Sequence, residues 1–189
     1  MVRRKRKYHR LVATKGPPGP WPKAAGFLLA AVVGHFAVVL GAPYLFMHKA
    51  MGRIETSGAG ENRFIFAPRV TESSRDVVRP SPDLVYSVCL YDLSHGPIRV
   101  KARPSSAYTS LSAFQLNGDN ILSLNDRAAP MGMDFVLART GQSIKAPKGV
   151  VVFYSPTDRG LLLDRRLAPT EAEFHDADRL RRFDVCAPL

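Results

Sequence analysis

Residues 84–103 read LVYSVCLYDLSHGPIRVKAR and carry the plainest fold signal in the chain. Residues 84–93 are rich in Val, Leu and Tyr and mostly apolar at successive positions, which is typical of a β-strand buried on both faces. The turn signal His95-Gly96-Pro97 follows. In residues 98–103, Ile, Val and Ala alternate with Arg and Lys, which indicates one buried and one solvent-exposed face. The stretch therefore predicts two strands of a β-rich domain.

Similar short runs continue on both sides of these two strands. We predict further strands over residues 64–67, 108–116, 120–124, 133–139, 149–154 and 160–165. Asn117-Gly118-Asp119 is a hairpin signal, because Asn-Gly tolerates the positive φ that tight turns need. The segments between the runs contain no helix long enough for a crossover. The pattern therefore predicts an antiparallel β-sandwich or a jelly-roll-like domain.

Two helical segments are expected within this domain. Residues 71–78 predict one or two helical turns, which end before the prolines of Arg79-Pro80-Ser81-Pro82. Thr170 and Glu173 have the spacing of a capping box and open a C-terminal helix that continues to about Arg182. Acidic residues in its first half and basic residues in its last turn both favour the helix dipole.

Residues 24–47, AAGFLLAAVVGHFAVVLGAPYLFM, carry no formal charge. As a helix this run is about 36 Å long and can cross a hydrocarbon core of about 30 Å. We predict a transmembrane helix over residues 24–48, followed by a flexible linker at 49–62 and the β-rich domain at 63–189. A cleaved secretory signal and a buried helix of a soluble domain are the alternatives. The apolar run is longer than the core of a typical signal and has no good cleavage site after it.

Charge is distributed unevenly along the 189 residues, whose formal net charge is +11. Residues 1–23 contain eight Lys and Arg and no acid. Such an arm is expected to stay in the cytoplasm, which places residues 49–189 outside the bacterial inner membrane, in the periplasm of a Gram-negative cell. The arm could also bind anionic lipid or nucleic acid. Because only Tyr8 interleaves the basic residues, we interpret it as a topology signal and expect membrane lipid, not nucleic acid, as its partner.

Small residues form a stripe along the predicted membrane helix, at Gly26, Ala30, Gly34, Ala37 and Gly41. At 100° per residue they fall within an arc of about 80°, which would let another helix approach closely. Gly and Ala are also common in membrane helices that do not pair. His35 lies near mid-span, almost opposite the stripe. It is either a functional ionisable group or a neutral side chain bonded to a carbonyl.

The two cysteines, Cys89 and Cys186, admit two interpretations. In an oxidising periplasm they could form one disulfide that pins the C-terminus to a central strand. Cys89, however, lies inside a strongly apolar strand, where an unpaired thiol behaves as a small hydrophobic side chain. The sequence leaves both interpretations open.

The signatures of common enzyme classes are missing, since the sequence contains no GxSxG, P-loop, GxGxxG or HExxH motif. His48, His95 and His175 are widely spaced, and none lies beside a plausible pair of ligands. We therefore expect no metal and no cofactor. Polar residues do lie where strand ends and loops would cluster. They would either form a ligand pocket or close turns through hydrogen bonds to the backbone.

Residues 78–86, VRPSPDLVY, and residues 91–97, YDLSHGP, resemble the family called domain of unknown function 1254. The resemblance is carried by a proline-flanked Asp before a Tyr-containing strand and by the DLS-x-GP turn. Residues 107–111, 125–127 and 155–160 are similar to later motifs of the family, so the resemblance covers about residues 65–170. It implies a β-rich bacterial fold without a settled activity.

Longer members of that family carry a second β domain, called domain of unknown function 1214. The present chain resembles a short, membrane-anchored form that lacks this second domain. The resemblance therefore suggests, as a hypothesis, that a separate membrane protein carrying the second domain pairs with this chain through the small-residue stripe.

The sequence thus predicts a single-pass membrane protein that presents a β-rich binding or assembly domain and is not an enzyme. The alternative is a hydrolase-like, ligand-processing protein whose site is completed by a partner domain and lies near Asp83, Tyr86, Tyr108 and Arg127. Convergence of these four side chains in one deep pocket would favour the enzyme. If each instead satisfies a local turn, the binding module is favoured.

Overall fold

The computed structural model describes residues 19–56, 58, 60–75 and 79–189. Most of the predicted basic arm, residues 1–18, lies outside the described part. The chain divides into two compact units, Met1–Val39 and Leu40–Leu189. The first unit contains the beginning of a long helix. The second contains the last turns of that helix and all of the strands that are described.

The long helix, α1, spans Pro20–Thr56. By length and composition it is able to cross a membrane, since an 18-residue window within it has a mean hydropathy of 2.1. It begins four residues before the predicted span of 24–48 and continues eight residues beyond it. Residues 49–56, expected within the linker, are helical because Lys, Ala, Met, Arg and Glu are all good helix formers. The membrane boundaries at 24 and 48 stay a prediction.

Nine strands and one shorter helix follow in the described part of the chain. The strands are β1 (Phe64–Phe66), β2 (Leu84–Asp92), β3 (Ile98–Ala102), β4 (Thr109–Gln115), β5 (Asn120–Asn125), β6 (Met133–Arg139), β7 (Val151–Ser155), β8 (Arg159–Leu167) and β9 (Val185–Pro188). The helix is α2 (Glu171–Arg181). All eight predicted strands are therefore present, with bounds that differ by at most two residues at either end.

The strands form two sheets, so the predicted sandwich is confirmed. The five-stranded sheet has the order β1-β2-β8-β4-β5 and is antiparallel throughout; the four-stranded sheet has the order β7-β6-β3-β9. The expectation of purely antiparallel pairing is wrong at one place, because β6 and β7 are parallel. Residues 140–150 connect these two strands and return the chain to the end at which β6 began, whereas a tight hairpin would have reversed it.

The core lies between the sheets and follows from the alternation in the sequence. Ile98, Val100 and Ala102 on β3 are buried, whereas Arg99 and Lys101 between them remain partly exposed. Apolar side chains from both sheets share one cluster, including Leu111, Phe135, Leu137 and Leu162. Burial of alternate residues from two facing sheets provides the main stabilisation of such a domain.

Two further segments differ in how well the sequence anticipated them. At residues 71–75 the described backbone forms a turn closed by Ser74 N–H donating to the carbonyl of Thr71 at 3.0 Å, so no helix begins there; residues 76–78 of the predicted helical turns lie outside the described residues. The C-terminal helix is confirmed together with its capping box. Thr170 N–H donates to Glu173 Oε2 at 2.9 Å, and Glu173 N–H donates to Thr170 Oγ1 at 3.3 Å.

Candidate functional site

The four residues singled out from the sequence lie at one end of the five-stranded sheet. β2 begins just after Asp83, and the backbone N–H of Ala168, which follows β8, donates to the Asp83 carbonyl at 2.8 Å. Leu167 N–H donates to the carbonyl of Tyr108, which precedes β4, at 2.9 Å. Arg127 comes two residues after the end of β5. The topology thus brings all four to the same sheet end.

Within this sheet end, the four residues are spread along a row of strands. Adjacent strands are about 4.8 Å apart, so the row from β2 across β8 and β4 to β5 extends about 14 Å. The Tyr86 hydroxyl is used locally, since it accepts a hydrogen bond from Ser81 N–H at 2.8 Å. Tyr108 and Arg127 are exposed. Two surface cavities of the described part, about 660 and 420 Å³, are lined by other residues.

The strongest polar constellation at this end is instead buried between the sheets. We call Asp164, Arg166 and Asp184 the buried ion cluster. Arg166 Nη2 donates to Asp184 Oδ2 at 2.6 Å, and Arg166 Nε donates to Asp164 Oδ2 at 3.1 Å. Ser87 Oγ also donates to Asp164 Oδ2, at 3.2 Å, and Arg103 N–H donates to Asp184 Oδ1 at 2.8 Å. The cluster therefore connects β2, β3, β8 and the segment that leads into β9.

Burial controls the protonation of this cluster. Loss of hydration raises the pKa of Asp164 above its ordinary value, and the attraction of Arg166 does not fully compensate. Burial raises the pKa of Asp184 from 3.8 to about 6, although the positive charge of Arg166 acts to lower it. Because the side chains of Asp164 and Arg166 are 0% exposed, they cannot touch a ligand at the surface. The cluster can join elements and respond to pH, but it does not present a reactive group.

A second buried cation, Arg181, fastens α2 to the sandwich. It donates to the carbonyl of Tyr86 at 2.5 Å and to the carbonyl of Ala67 at 2.7 Å, and it pairs with Asp178 on its own helix. Its guanidinium also lies 5.5 Å from the ring centroid of Phe66. These contacts provide hydrogen-bond donors for the carbonyls of Tyr86 and Ala67. Arg181 thereby holds α2 against β2 at this end of the domain.

A disulfide joins Cys89 on β2 to Cys186 on β9, with an S–S distance of 2.06 Å. Since β2 belongs to the five-stranded sheet and β9 to the four-stranded sheet, the bond crosses the core. The two positions are 97 residues apart in the sequence. The sequence left open whether Cys89 and Cys186 are paired or are free thiols, and in the structure they are paired.

No cluster of three or more His, Cys, Asp and Glu side chains able to hold a metal ion occurs among the residues that the structure describes. His95 and His175 are far apart in the sequence, and the described contacts of His175 are with Glu171 and Phe174 on its own helix.

Residues 61–188 match the family described as "Protein of unknown function (DUF1254)". The chain belongs to the DUF1254 family. The match covers the whole β-sandwich and α2 but begins after α1 has ended, so the long apolar helix is additional to the family's domain.

One solved structure repeats the fold of this DUF1254 domain. The VPA0106 protein from Vibrio parahaemolyticus is 15% identical, with a TM-score of 0.60 over 78% of this chain. The matched part is 36% of the VPA0106 chain, so the present chain spans about a third of that protein. An uncharacterized protein from Burkholderia cenocepacia is 18% identical over 85% of this chain and 42% of its own, with a TM-score of 0.41. No curated protein matches.

Sequence reasoning missed the buried ion cluster of the DUF1254 domain, although a signal for it exists. In β8, the run LLLDRRL places Asp164 and Arg166 two residues apart, on the same strand face as the apolar Leu162. Two opposite charges on the same buried face imply an internal pair, because neither could be buried alone. Their third partner, Asp184, has no such signal, since it lies in the short connection after α2.

Proposed function

We propose that this protein is a single-span membrane protein that presents its DUF1254 sandwich outside the cytoplasm as a binding or assembly module. The observation that carries the proposal is the apolar helix α1, whose 18-residue window of mean hydropathy 2.1 is 0% buried. A helix that is apolar all round and unburied needs an apolar surrounding, and a bilayer provides one of the right thickness. A core helix of a soluble protein would be covered by its own chain.

The orientation follows from charge and is supported by the disulfide. Eight basic residues precede the span, so the N-terminus stays in the cytoplasm and the DUF1254 domain faces the periplasm of a Gram-negative cell. A disulfide between Cys89 and Cys186 fits that side of the membrane, because disulfides persist in oxidising compartments and are rare in the cytosol.

A binding or assembly role fits the site better than a reaction does. The ionisable groups with the largest burial, Asp164, Arg166 and Arg181, are used to join strands and a helix. The four exposed or half-buried candidates stand in a row across the sheet end. An extended row of side chains suits recognition of a surface, whereas chemistry on a small substrate needs convergent groups in a concave site.

The proposed partner is a separate membrane protein that carries the second family domain, called domain of unknown function 1214. The stripe of small residues on α1 would be the contact between the two helices, since small side chains allow close backbone approach in lipid. Purification in detergent from cells that express such a protein should recover both chains. Recovery of this chain alone would remove the partner from the proposal.

Topology and anchorage are tested with paired fusions. An alkaline phosphatase fused after Leu189 should be active and a green fluorescent protein fused at the same place should be dark. The intact chain should also remain in membranes washed with alkaline carbonate, with an unchanged N-terminus by mass spectrometry. An inactive phosphatase fusion together with a fluorescent green fluorescent protein fusion would refute the orientation. An N-terminus that begins after residue 47 would show that the helix is a cleaved signal and not an anchor.

A further inference from the structure

The strand β7 is an apolar edge of the four-stranded sheet. Among the strands that the structure describes, β6 is its only neighbour. Its sequence, VVFYS, contains no charged residue and no proline. Val151 is 58% exposed and Tyr154 is 50% exposed. An exposed, uncharged and apolar edge is a place where a further strand can add to a sheet.

The other three edge strands of the described sandwich are less suited to strand addition. β1 has only three residues. β9 has four residues and includes Pro188, which has no backbone N–H to donate. β5 presents the polar side chains of Asn120 and Ser123 to solvent. Strand addition is therefore expected at β7 before any of the other three edges.

Alternate residues of β7 direct their backbone groups away from the sheet. The carbonyl of Ser155 accepts a hydrogen bond from the N–H of Thr140, just after β6, at 2.9 Å, so the backbone of Ser155 faces β6. Because this direction alternates along a strand, Phe153 also faces β6, whereas the N–H and C=O groups of Val152 and Tyr154 face outward. No described segment outside the sheet hydrogen-bonds to these four outward groups.

A second copy of β7 complements the outward groups. In an antiparallel pair centred on Phe153, Val152 of each copy lies opposite Tyr154 of the other copy. Each of these two opposed pairs exchanges two N–H···O bonds, so every outward group gains a partner. The side chains of an opposed pair share one face of the sheet, where an aromatic and a β-branched residue stabilise each other. The strand is thus complementary to itself in both backbone and side chains.

The charges that flank β7 in the sequence are compatible with antiparallel pairing. Lys145 and Lys148 precede the strand and are exposed. An antiparallel pair places the lysines of the two copies at opposite ends, whereas a parallel pair would bring all four together. After the strand, Asp158 is paired with Arg139 at 2.9 Å, so the lysines of each copy approach a neutral pair. Charge therefore favours the antiparallel arrangement.

We propose that two copies of this chain associate through β7. The contact joins two four-stranded sheets into one continuous sheet across a two-fold axis beside Phe153. Tyr154 of each copy packs on Val152 of the other. The inference goes beyond the proposed function, because the contact lies wholly within the sandwich and needs neither the membrane nor a second family domain.

The register is tested by cysteine cross-linking of the full chain in detergent. Val152→Cys and Tyr154→Cys are made in separately tagged chains; the native Cys89 and Cys186 are already bonded to each other. After mixing and mild oxidation, the two variants should form a cross-linked heterodimer, because the opposed Cα atoms are about 5.5 Å apart. Val152→Cys alone should cross-link at least about tenfold less, since its two copies are about 7–8 Å apart on the diagonal. Ser123→Cys, exposed on β5, measures random collision.

Charge substitution on β7 provides a second test that does not depend on oxidation. V152K/Y154K sets lysine opposite lysine, so the dimer should weaken about tenfold or more in analytical ultracentrifugation. V152E/Y154E should weaken it similarly, and a mixture of the two variants should restore association. The matched control N120K/S123K places two lysines at exposed positions of β5 and should change association less than about twofold. Circular dichroism confirms that each variant is folded.

Several outcomes would overturn the proposal. They are a wild type that stays monomeric at micromolar concentration, equal cross-linking by the mixed and the single cysteine variants, unchanged association of V152K/Y154K, and no association in the lysine–glutamate mixture. The alkaline phosphatase fusion and the carbonate wash report on orientation and anchorage whatever happens at β7. Failure of the dimer and failure of the proposed function are therefore observed separately.

Discussion

The hydroxyl of Tyr91 occupies the space that a side chain at Gly160 would need. The two residues are direct cross-strand partners on β2 and β8. The Tyr91 hydroxyl donates to the carbonyl of Phe114 at 3.0 Å and lies 3.1 Å from Ser155 Oγ. A Cβ built on Gly160 would lie 2.2 Å from both the Tyr91 hydroxyl and the Phe114 carbonyl oxygen. Only glycine lets the tyrosine bridge the two sheets here.

Gly160→Ala is therefore expected to destabilise the domain by about 1–3 kcal/mol or more, because backbone or a buried ring must move to accept the methyl group. Thermal unfolding of the full chain in detergent, followed by circular dichroism, measures the loss. Gly52→Ala on α1 is the matched control, since a Cβ there meets nothing within 4 Å and alanine favours helix. Equal melting temperatures for wild type and Gly160→Ala would contradict the packing described here.

Local signals in the sequence predicted local structure well. The capping box of α2 was predictable from Thr170 and Glu173, because both partners lie within one helical turn. The alternation in β3 likewise fixed which of its faces is buried. Strands that are recognisable only by their pairing with a distant part of the chain were not predictable. β9 is four residues long and includes a proline, so only its pairing with β3 identifies it as a strand.

For the candidate site too, positions along the chain were predictable, whereas contacts between distant residues were not. The sequence placed Asp83, Tyr86, Tyr108 and Arg127 at strand ends, and the topology brings those ends together. It could not show that Tyr86 bonds to Ser81 in its own loop, because hydroxyl partners depend on the path of the chain. The parallel pairing of β6 and β7 was missed for a similar reason, since hydrophobic periodicity carries no information on strand direction.

Arg181 is expected to be the most sensitive charged residue of α2. Arg181→Ala leaves the carbonyls of Tyr86 and Ala67 without their buried donor and leaves Asp178 paired with Arg182 alone. Each buried carbonyl left without a donor costs about 1–3 kcal/mol. Urea unfolding of the full chain should show a clearly lower midpoint.

The control for Arg181 lies two residues earlier on the same helix. Arg179 pairs with Asp176 in a contact that is 79% and 70% exposed, so Arg179→Ala should leave the midpoint almost unchanged. Similar losses for the two variants would show that the charge of α2 matters in general and that the buried contacts of Arg181 do not.

The disulfide should contribute strongly to stability. A bond that closes 97 residues restricts the unfolded chain, and removal of such bonds from small exported domains costs about 2–5 kcal/mol. Reduction of the wild type and the double substitution C89A/C186A should both lower the melting temperature, and reductant should have no further effect on the variant. Maleimide labelling of the denatured, unreduced chain should detect no free thiol. Detection of two thiols would show that the bond is not formed in the protein as isolated.

Asp184 makes a prediction about pH whose sign follows from its environment. Its pKa is about 6 in the folded chain against 3.8 when unfolded, so between these values the folded state holds a proton that the unfolded state has released. Stability contributed by this group is thus full below about pH 4 and is lost as pH rises through 6. At about 1.4 kcal/mol per pH unit, the loss approaches about 3 kcal/mol.

The stability of the wild type relative to Asp184→Asn should therefore fall between pH 4 and 7, since asparagine cannot ionise. Asp134 provides a control of opposite sign. The hydrogen bond from Arg99 lowers its pKa below 3.8, so the wild type should lose stability relative to Asp134→Asn only as pH falls below about 5. Chemical denaturation across pH 3–8 measures both differences. A flat difference for Asp184→Asn between pH 4 and 7 would mean that Arg166 fully compensates the burial of the carboxylate, and that the cluster does not sense pH.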